Sequence, residues 1–302
     1  MTQKILAVIG PTASGKSSIG LSLAEHVGGE IVSADSMQIY RQMDIGTAKP
    51  SLADRRQVRH HLIDILNPDQ PYNAGQFSSD ADQAIAEIGQ QSQVPIIVGG
   101  THLYLKTLIH GLIAAPEVKP ELQKELYVRL ENEGVGALHR QLSQLDPEAA
   151  KKLHPNDSSR VTRALAVYLS TGRSIIDWQE SHQFQELRYQ PYYLAIRWER
   201  EQLYQRINQR VELMVEQGLV SETQALLDQG YSPELPALSS IGYKQAVSRI
   251  AGDIDQDQMI QQIQQASRRY AKKQLTWVRS ISPVHWLEPG QVDLAHLTTF
   301  LA

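Results

Sequence analysis

Apolar positions open the chain as a continuous run, Ile5 to Ile9, the pattern of a strand buried on both faces. An amphipathic run, Ser18 to Val27, follows and predicts a helix. The alternation then repeats. Glu30 to Ala34 and His60 to Ile65 predict strands, Gly75 to Gln91 a helix, and Val94 to Gly99 a buried parallel strand. Gly100 leads into an apolar helix ending near Gly111. Four β-α units by residue 113 predict a doubly wound parallel sheet. Within this region Ile39 to Pro50 is rich in Gly, Thr, Lys and Pro and predicts an irregular loop.

The pattern changes at Ala115-Pro116-Glu117-Val118-Lys119-Pro120, a hinge-like break. From there to about Gln190 the chain is rich in Glu, Gln, Lys, Arg and Leu at helical spacing. Pro147 starts one helix, His154 to Ser158 breaks the chain and caps the next, and Gly172 ends that one. Tyr192 to Trp198 returns to strand composition. Helices follow over Arg200 to Gly218, Ser221 to Gln229, after Lys244 to near Gly252, and from Gln258 onward. Val284 to Pro289 predicts a last strand. The fold class is therefore α/β: a P-loop NTPase-like parallel sheet with flanking helices, plus an inserted all-helical subdomain. Residues 1–116 and 190–302 form the core and 117–189 the insertion.

Composition sets the class without naming a chemistry. The 302 residues are 41% hydrophobic and 21% charged, as in ordinary globular domains. There is no cysteine, hence no disulfide and no cysteine zinc site. The start of the chain passes at once into the first strand with no signal region, and no apolar run is long enough to span a bilayer. A cytoplasmic monomer without membrane attachment is the expectation. The net charge of -4 does not advertise nucleic-acid binding, so local charge matters more than the sum.

The chemistry starts at Gly10-Pro11-Thr12-Ala13-Ser14-Gly15-Lys16-Ser17, between the first strand and the first helix. The spacing fits a P-loop, whose glycines let backbone N–H groups converge on a polyphosphate at a helix N-terminus. Lys16 would reach the outer phosphate, and the Ser17 hydroxyl would complete a Mg2+ shell. Asp35 follows the second strand. In an open parallel sheet, groups past the carboxyl ends of strands line the ligand crevice, so topology brings Asp35 beside the P-loop. It reads equally as a catalytic group or a turn aspartate. Lys49 is a candidate second phosphate contact or an exposed lysine. The adjacent His60 and His61 point to opposite faces of a strand and form no two-ligand metal site.

The last long helix carries the other signal. From Gln258 to Leu287 there is no Asp or Glu. Arg268, Arg269, Lys272, Lys273 and Arg279 fall within an arc of roughly 140°. Ile260, Ile263, Tyr270, Ala271 and Val278 occupy the other side, predicting one buried face and one positive stripe. A stripe with no acidic compensation in an acidic chain favours a phosphate-backbone partner. Arg160 and Arg163, one turn apart, are phosphate contacts or surface charges. Trp277 packs in the core or stacks on a base.

The blocks Gly10–Ser17, Ser33–Tyr40, Met43–Pro50, His60–Asp64, Gly99–Thr101 and Arg268–Trp277 together resemble the bacterial tRNA dimethylallyltransferase, or delta(2)-isopentenylpyrophosphate tRNA transferase, family. They fall in the family's order across nearly the whole chain. The resemblance implies transfer of a dimethylallyl group from dimethylallyl diphosphate to N6 of the adenosine 3′ of the anticodon, with release of pyrophosphate. It implies that Gly10, Pro11, Thr12, Ala13, Ser14, Gly15, Lys16 and Ser17 hold the donor's diphosphate with Arg210, and that Mg2+ is the cofactor. Asp35 is implied as the general base and Thr101 as a residue that helps position the base or donor, with Lys16 at the leaving group.

For the tRNA anticodon stem-loop, the implied contacts are Asp35, Ser36, Met37, Gln38 and Thr101. Ser159, Arg160, Val161, Thr162 and Arg163 of the insertion, read as a clamp, join them. So do Ser239, Ser240, Ile241, Gly242, Tyr243 and Lys244, and then Arg268, Arg269, Lys272, Lys273, Gln274, Thr276, Trp277 and Arg279. Three positions depart from the family pattern: His102 stands where a small residue is usual, Gln42 for a common Gly, and Ala166 for a common acid.

Three other readings compete. An adenylate isopentenyltransferase would share the P-loop and Asp35 without needing the basic helix or the insertion. A small-molecule kinase would need ATP turnover and a phosphoryl acceptor. An RNA-binding protein with a P-loop sensor would leave donor chemistry silent. The Asp-Ser-Met-Gln block beside the P-loop argues against the last two.

Overall fold

The computed structural model describes residues 2–112, 118–182, 187–290 and 300–301. Its centre is a six-stranded parallel sheet in the order β3-β2-β4-β1-β5-β6. The strands are β1 (Gln3–Ile9), β2 (Gly29–Ala34), β3 (His60–His61), β4 (Val94–Gly99), β5 (Tyr189–Ile196) and β6 (His285–Leu287). Alternate residues of β1 enter different cores: Ile5, Ala7 and Ile9 face one helical layer, and Leu6 and Val8 the other. Both faces are thus covered, which is why this strand is apolar throughout rather than alternating. The order reverses at β1, between β4 and β5. A doubly wound sheet opens its ligand crevice at such a point, and the P-loop leaves β1 there.

Contacts divide the chain into two units, Met1–His110 with Leu187–Ala302, and Gly111–Glu186. The second is wholly helical over its described residues: α5 (Pro120–Glu133), α6 (Val135–Leu145), α7 (Pro147–Lys152), α8 (Ser158–Thr171) and α9 (Ile175–His182). It has its own core, with Leu126, Leu138, Leu142, Val161 and Leu165 fully buried. Asp157 caps α8 and Gly172 ends it in the left-handed region at φ 68°. The hinge expected at Ala115–Pro120 lies partly outside the described residues.

The third strand is shorter than its composition predicts. Leu62 and Asp64 have φ of 60° and 57°, outside any strand conformation, so β3 stops at His61. The segment after it bonds sideways: Asp64 N–H donates to Gln38 O, and Ile65 and Leu66 N–H to Ile39 O. Lys49 locks this corner and is neither a phosphate contact nor exposed. Its side chain is 2% exposed, with Nζ 2.5 Å from Asp44 Oδ1, 2.6 Å from Asp64 Oδ1 and 2.9 Å from Tyr40 O. Arg55, on the short helix α2 (Leu52–Gln57), takes the other Asp64 oxygen at 2.5 Å. Burial pushes the Asp64 carboxyl up, but the hydrogen bonds from Lys49 and Arg55 outweigh it and hold the group below its usual range.

The last helices pack into a third core around Tyr243, which is fully buried. The key is Glu222, in the first turn of α11 (Leu219–Asp228). Its carboxylate accepts the backbone N–H groups of Asp44, Ile45 and Gly46 at 2.9, 2.8 and 3.1 Å, and the Tyr243 hydroxyl at 2.5 Å. Gly46 must be glycine: a Cβ there would lie 2.4 Å from the Tyr243 ring. One carboxylate thus fastens the 44–50 loop to α11 and to α12 (Tyr243–Ile250).

Glu222→Ala leaves three backbone donors and a buried hydroxyl unpaired. The expected loss is about 2–4 kcal/mol of stability, read from urea unfolding, with Glu222→Gln losing less. Wild-type stability in the alanine variant would show that the loop holds without this carboxylate.

Candidate active site

The P-loop joins β1 to α1 (Lys16–Val27). Gly15 has φ 94° at the N-cap, a conformation that favours glycine, and it starts the helix with its N–H groups facing the crevice. Three side chains from distant parts of the chain hold the loop from outside. Trp198 Nε1 donates to Ser14 O at 2.9 Å, and Arg206 Nε donates to Ala13 O at 2.9 Å while its guanidinium lies over the Trp198 ring. Gln274 is 6% exposed: Thr12 N–H donates to its Oε1, and its Nε2 donates to Gly100 O, both at 2.9 Å. It therefore ties the P-loop to the turn after β4, and its side chain is not a surface contact for RNA.

A cavity of about 380 Å³ opens beside this loop. Its floor is Thr12, Ala13, Lys16 and Ser17, and Asp35, Ser36, Met37 and Gln38 form the side past β2. The opposite walls are helical. From α10 (Arg200–Glu216) come Ile207, Arg210, Val211 and Met214; from α13 (Gln256–Val278) come Ile263, Ser267, Tyr270 and Gln274. Each set follows the three-and-four spacing of one helix face. Ser239, Ser240, Ile241 and Gly242 complete the rim.

Among the described residues of this wall the formal charges are Lys16, Arg210 and Asp35. Burial, and then the neighbouring Arg210, bring the Lys16 ammonium down to about 8, with Asp35 opposing. Burial likewise lowers Arg210, again opposed by Asp35. The Lys16 Nζ donates to Pro11 O at 2.7 Å. Two cations facing one carboxylate leave an enclosed positive excess, the electrostatic setting for a polyanion. Ser14 Oγ, 1% exposed, has no hydrogen-bond partner among the described residues. His60 also lines the cavity; burial lowers its imidazole, favouring the neutral ring, with Nδ1 2.8 Å from Val58 O.

Asp35 is held in a turn and also lines the cavity. Its Oδ1 accepts Met37 N–H at 2.9 Å and Gln38 N–H at 3.4 Å, which fixes the carboxylate plane. The Thr101 Oγ1 accepts Ser36 N–H at 3.1 Å, and Thr101 N–H donates to Ala34 O at 3.3 Å. Thr101 therefore sets the Asp35 turn from behind. Gln38 is pinned too: its Oε1 accepts from Ser33 Oγ at 3.1 Å and its Nε2 donates to Thr47 O and Ala48 O.

The expected RNA contacts divide by exposure. Arg269, Lys272, Lys273, Thr276 and Arg279 are exposed, and so are Lys244, Ser239 and Ile241. Arg268 instead turns inward and donates to Asn208 Oδ1 at 2.6 Å. Trp277 is half-buried, packed on the sheet core with the His102 ring 5.8 Å away. Tyr270 is not on a buried face; it is 37% exposed at the cavity mouth. Tyr243 is a core residue and offers no side chain to RNA. In the helical unit, Ser159, Arg160 and Arg163 are exposed, whereas Val161 and Thr162 are buried at 0% and 5% inside its core. Sequence reading missed Glu222, Trp198 and the bracing role of Arg206, because each acts on a segment far away in the chain.

The family model described as IPP transferase matches residues 38–281. The chain is 47% identical to tRNA dimethylallyltransferase 1 of Citrifermentans bemidjiense, over 99% of this chain and 97% of that protein. It is also 47% identical to the tRNA dimethylallyltransferase of Geobacter metallireducens, over 96% and 94%. Among solved structures it is similar to the full-length tRNA isopentenylpyrophosphate transferase of Bacillus halodurans. That match has TM-score 0.71 and 37% identity, covering 100% of this chain and 94% of that one. A eukaryotic dimethylallyltransferase acting on tRNA matches with TM-score 0.80 and 28% identity, over 95% and 74%. With a family model spanning most of its length and relatives this similar over nearly all of it, the chain belongs to the IPP transferase family, and it is a transferase.

Proposed function

We propose that this protein transfers the dimethylallyl group of dimethylallyl diphosphate to N6 of the adenosine 3′ of the anticodon in tRNA. The observation that carries the reading is the enclosed Lys16–Arg210 pair facing Asp35 across one cavity. The relatives are tRNA dimethylallyltransferases, which points to the substrates; the cavity supplies a reason for them to react.

The diphosphate lies over the P-loop, where the amides from Ser14 to Ser17, Lys16 and Arg210 take up the charge that grows as the C–O bond breaks. The prenyl carbon then meets the adenine amino group. The nitrogen lone pair forms the new bond, one N6 proton passes to Asp35, and pyrophosphate leaves with the bonding electrons. Thr101 keeps the Asp35 turn in place. The target base is extruded from the anticodon loop to reach this depth. The exposed Arg269, Lys272, Lys273 and Arg279 hold the backbone, and Ser159, Arg160 and Arg163 of the helical unit supply a further set of contacts.

The donor set suits Mg2+. Ser17 and Asp35 line one cavity, and among the described residues no three acidic or histidine side chains form a metal cage. Mg2+ binds in this way, through few protein ligands, several waters and substrate phosphates. Ser17 would hold it, and bound there it would neutralise diphosphate charge.

Asp35→Asn is expected to lower kcat for transfer by about a hundred- to ten-thousand-fold, with stem-loop affinity retained by gel shift. Wild-type turnover in that variant would remove Asp35 from the proton step. The Lys16 ammonium, brought down to about 8, is charged below that pH and neutral above it. The neutral amine loses its attraction for diphosphate, so kcat/KM for the donor falls with one-proton dependence as pH rises through about 8. In Lys16→Arg, whose guanidinium stays charged, the fall disappears although the absolute rate is lower. A flat profile in the unaltered enzyme would contradict this role.

A further inference from the structure

The helix α13 has two working faces, and one residue stands where they meet. Ile263, Ser267 and Gln274 face the cavity. Arg269, Lys272 and Lys273 are exposed on the other side. Tyr270 belongs to both: it lines the cavity yet keeps 37% of its surface exposed. Its near neighbours inside are the machinery of the site. Burial, and then the nearby Asp35 carboxylate, push the Tyr270 phenol up. Thr101 sets the Asp35 turn through Ser36 N–H.

A base drawn from an RNA backbone on the basic face into the cavity must pass this ring. An extruded base loses its stacking neighbours and needs a replacement surface. The other helix-wall residues of the cavity are aliphatic or polar: Ile207, Val211, Met214, Ile263 and Ser267 among them. Tyr270 is the aromatic ring on that wall, standing where the cavity meets solvent. A structural reading predicts a buried core tyrosine, such as Tyr243 at 0% exposure. A large apolar ring held partly in solvent at a cavity mouth has a different use.

We propose that Tyr270 is the stacking platform for the extruded acceptor base, holding the purine against Asp35 at the cavity mouth. The assignment rests on the transferase reading above. It concerns the acceptor alone: the ring takes the base and leaves the diphosphate end of the cavity to Lys16 and Arg210.

The test uses the full chain and an unmodified anticodon stem-loop carrying 2-aminopurine at the acceptor position. This base lacks the 6-amino group, so it binds without reacting, and its fluorescence is quenched when it stacks. With the unaltered protein the bound signal stays low. Tyr270→Leu keeps an apolar wall but removes the platform; the bound fluorescence rises. In steady-state transfer to the natural stem-loop, its acceptor KM increases by about five-fold or more while the donor KM is unchanged. Tyr270→Phe restores the quench, because the ring and not the hydroxyl does the stacking. An unaltered donor KM in the leucine variant shows that its P-loop side is intact. Low fluorescence and a wild-type acceptor KM in Tyr270→Leu would overturn the proposal, as would a phenylalanine variant as bright as the leucine one. Failure of the unaltered protein to bind the stem-loop at all would overturn the transferase reading and this inference with it.

Discussion

The structure is arranged around positive charge held out of water. Lys16 and Arg210 share a cavity with one carboxylate; burial lowers both cations, and Arg210 lowers Lys16 further. Burying an uncompensated cation is costly, so the arrangement makes sense only with an anionic ligand completing it. Everything that fixes the P-loop serves this pair. Trp198 and Arg206 hold the loop's carbonyls, and Gln274 holds its Thr12 amide. These braces come from the segment after β5 and from the two helices that also wall the cavity. The P-loop is therefore set in part by the same helices that wall the cavity.

A second constraint works on the opposite side of the cavity. The 44–50 loop has no regular structure, yet it is fixed at both ends by charge. Glu222 captures three of its amides, and Lys49 is pinned between Asp44 and Asp64. Its carbonyls at Thr47 and Ala48 then orient Gln38, beside Asp35. This side of the cavity thus depends on ion pairs and amide capture rather than on a strand or helix.

What was legible in the sequence follows from how local each signal is. The P-loop is written in eight consecutive residues, and its place after the first strand follows from a run of apolar positions. Asp35 needed only the strand order rule to reach the same crevice. The basic helix was legible as a charge asymmetry, but its periodicity could not say which residues turn inward. Arg268 is taken by Asn208 and Gln274 by the P-loop, through partners sixty or more residues away. The same limit explains Val161, Thr162 and Tyr243, which sit among the expected RNA contacts but face cores. Lys49 illustrates it best: a lysine in a polar loop reads as solvent-exposed, and only the fold brings Asp64 against it. The third strand was over-read because left-handed conformations at Leu62 and Asp64 leave no mark in hydrophobicity.

The most direct measurement is transfer from labelled dimethylallyl diphosphate with Mg2+, offering unmodified tRNA in one reaction and AMP in another. The account predicts label in tRNA alone, since the cavity holds the diphosphate and the basic helix delivers the base. Label in AMP would mean that the exposed cations of α13 play no part in choosing the acceptor. No transfer to either, with ATP consumed instead, would contradict the assignment of the Lys16–Arg210 cavity to a prenyl diphosphate.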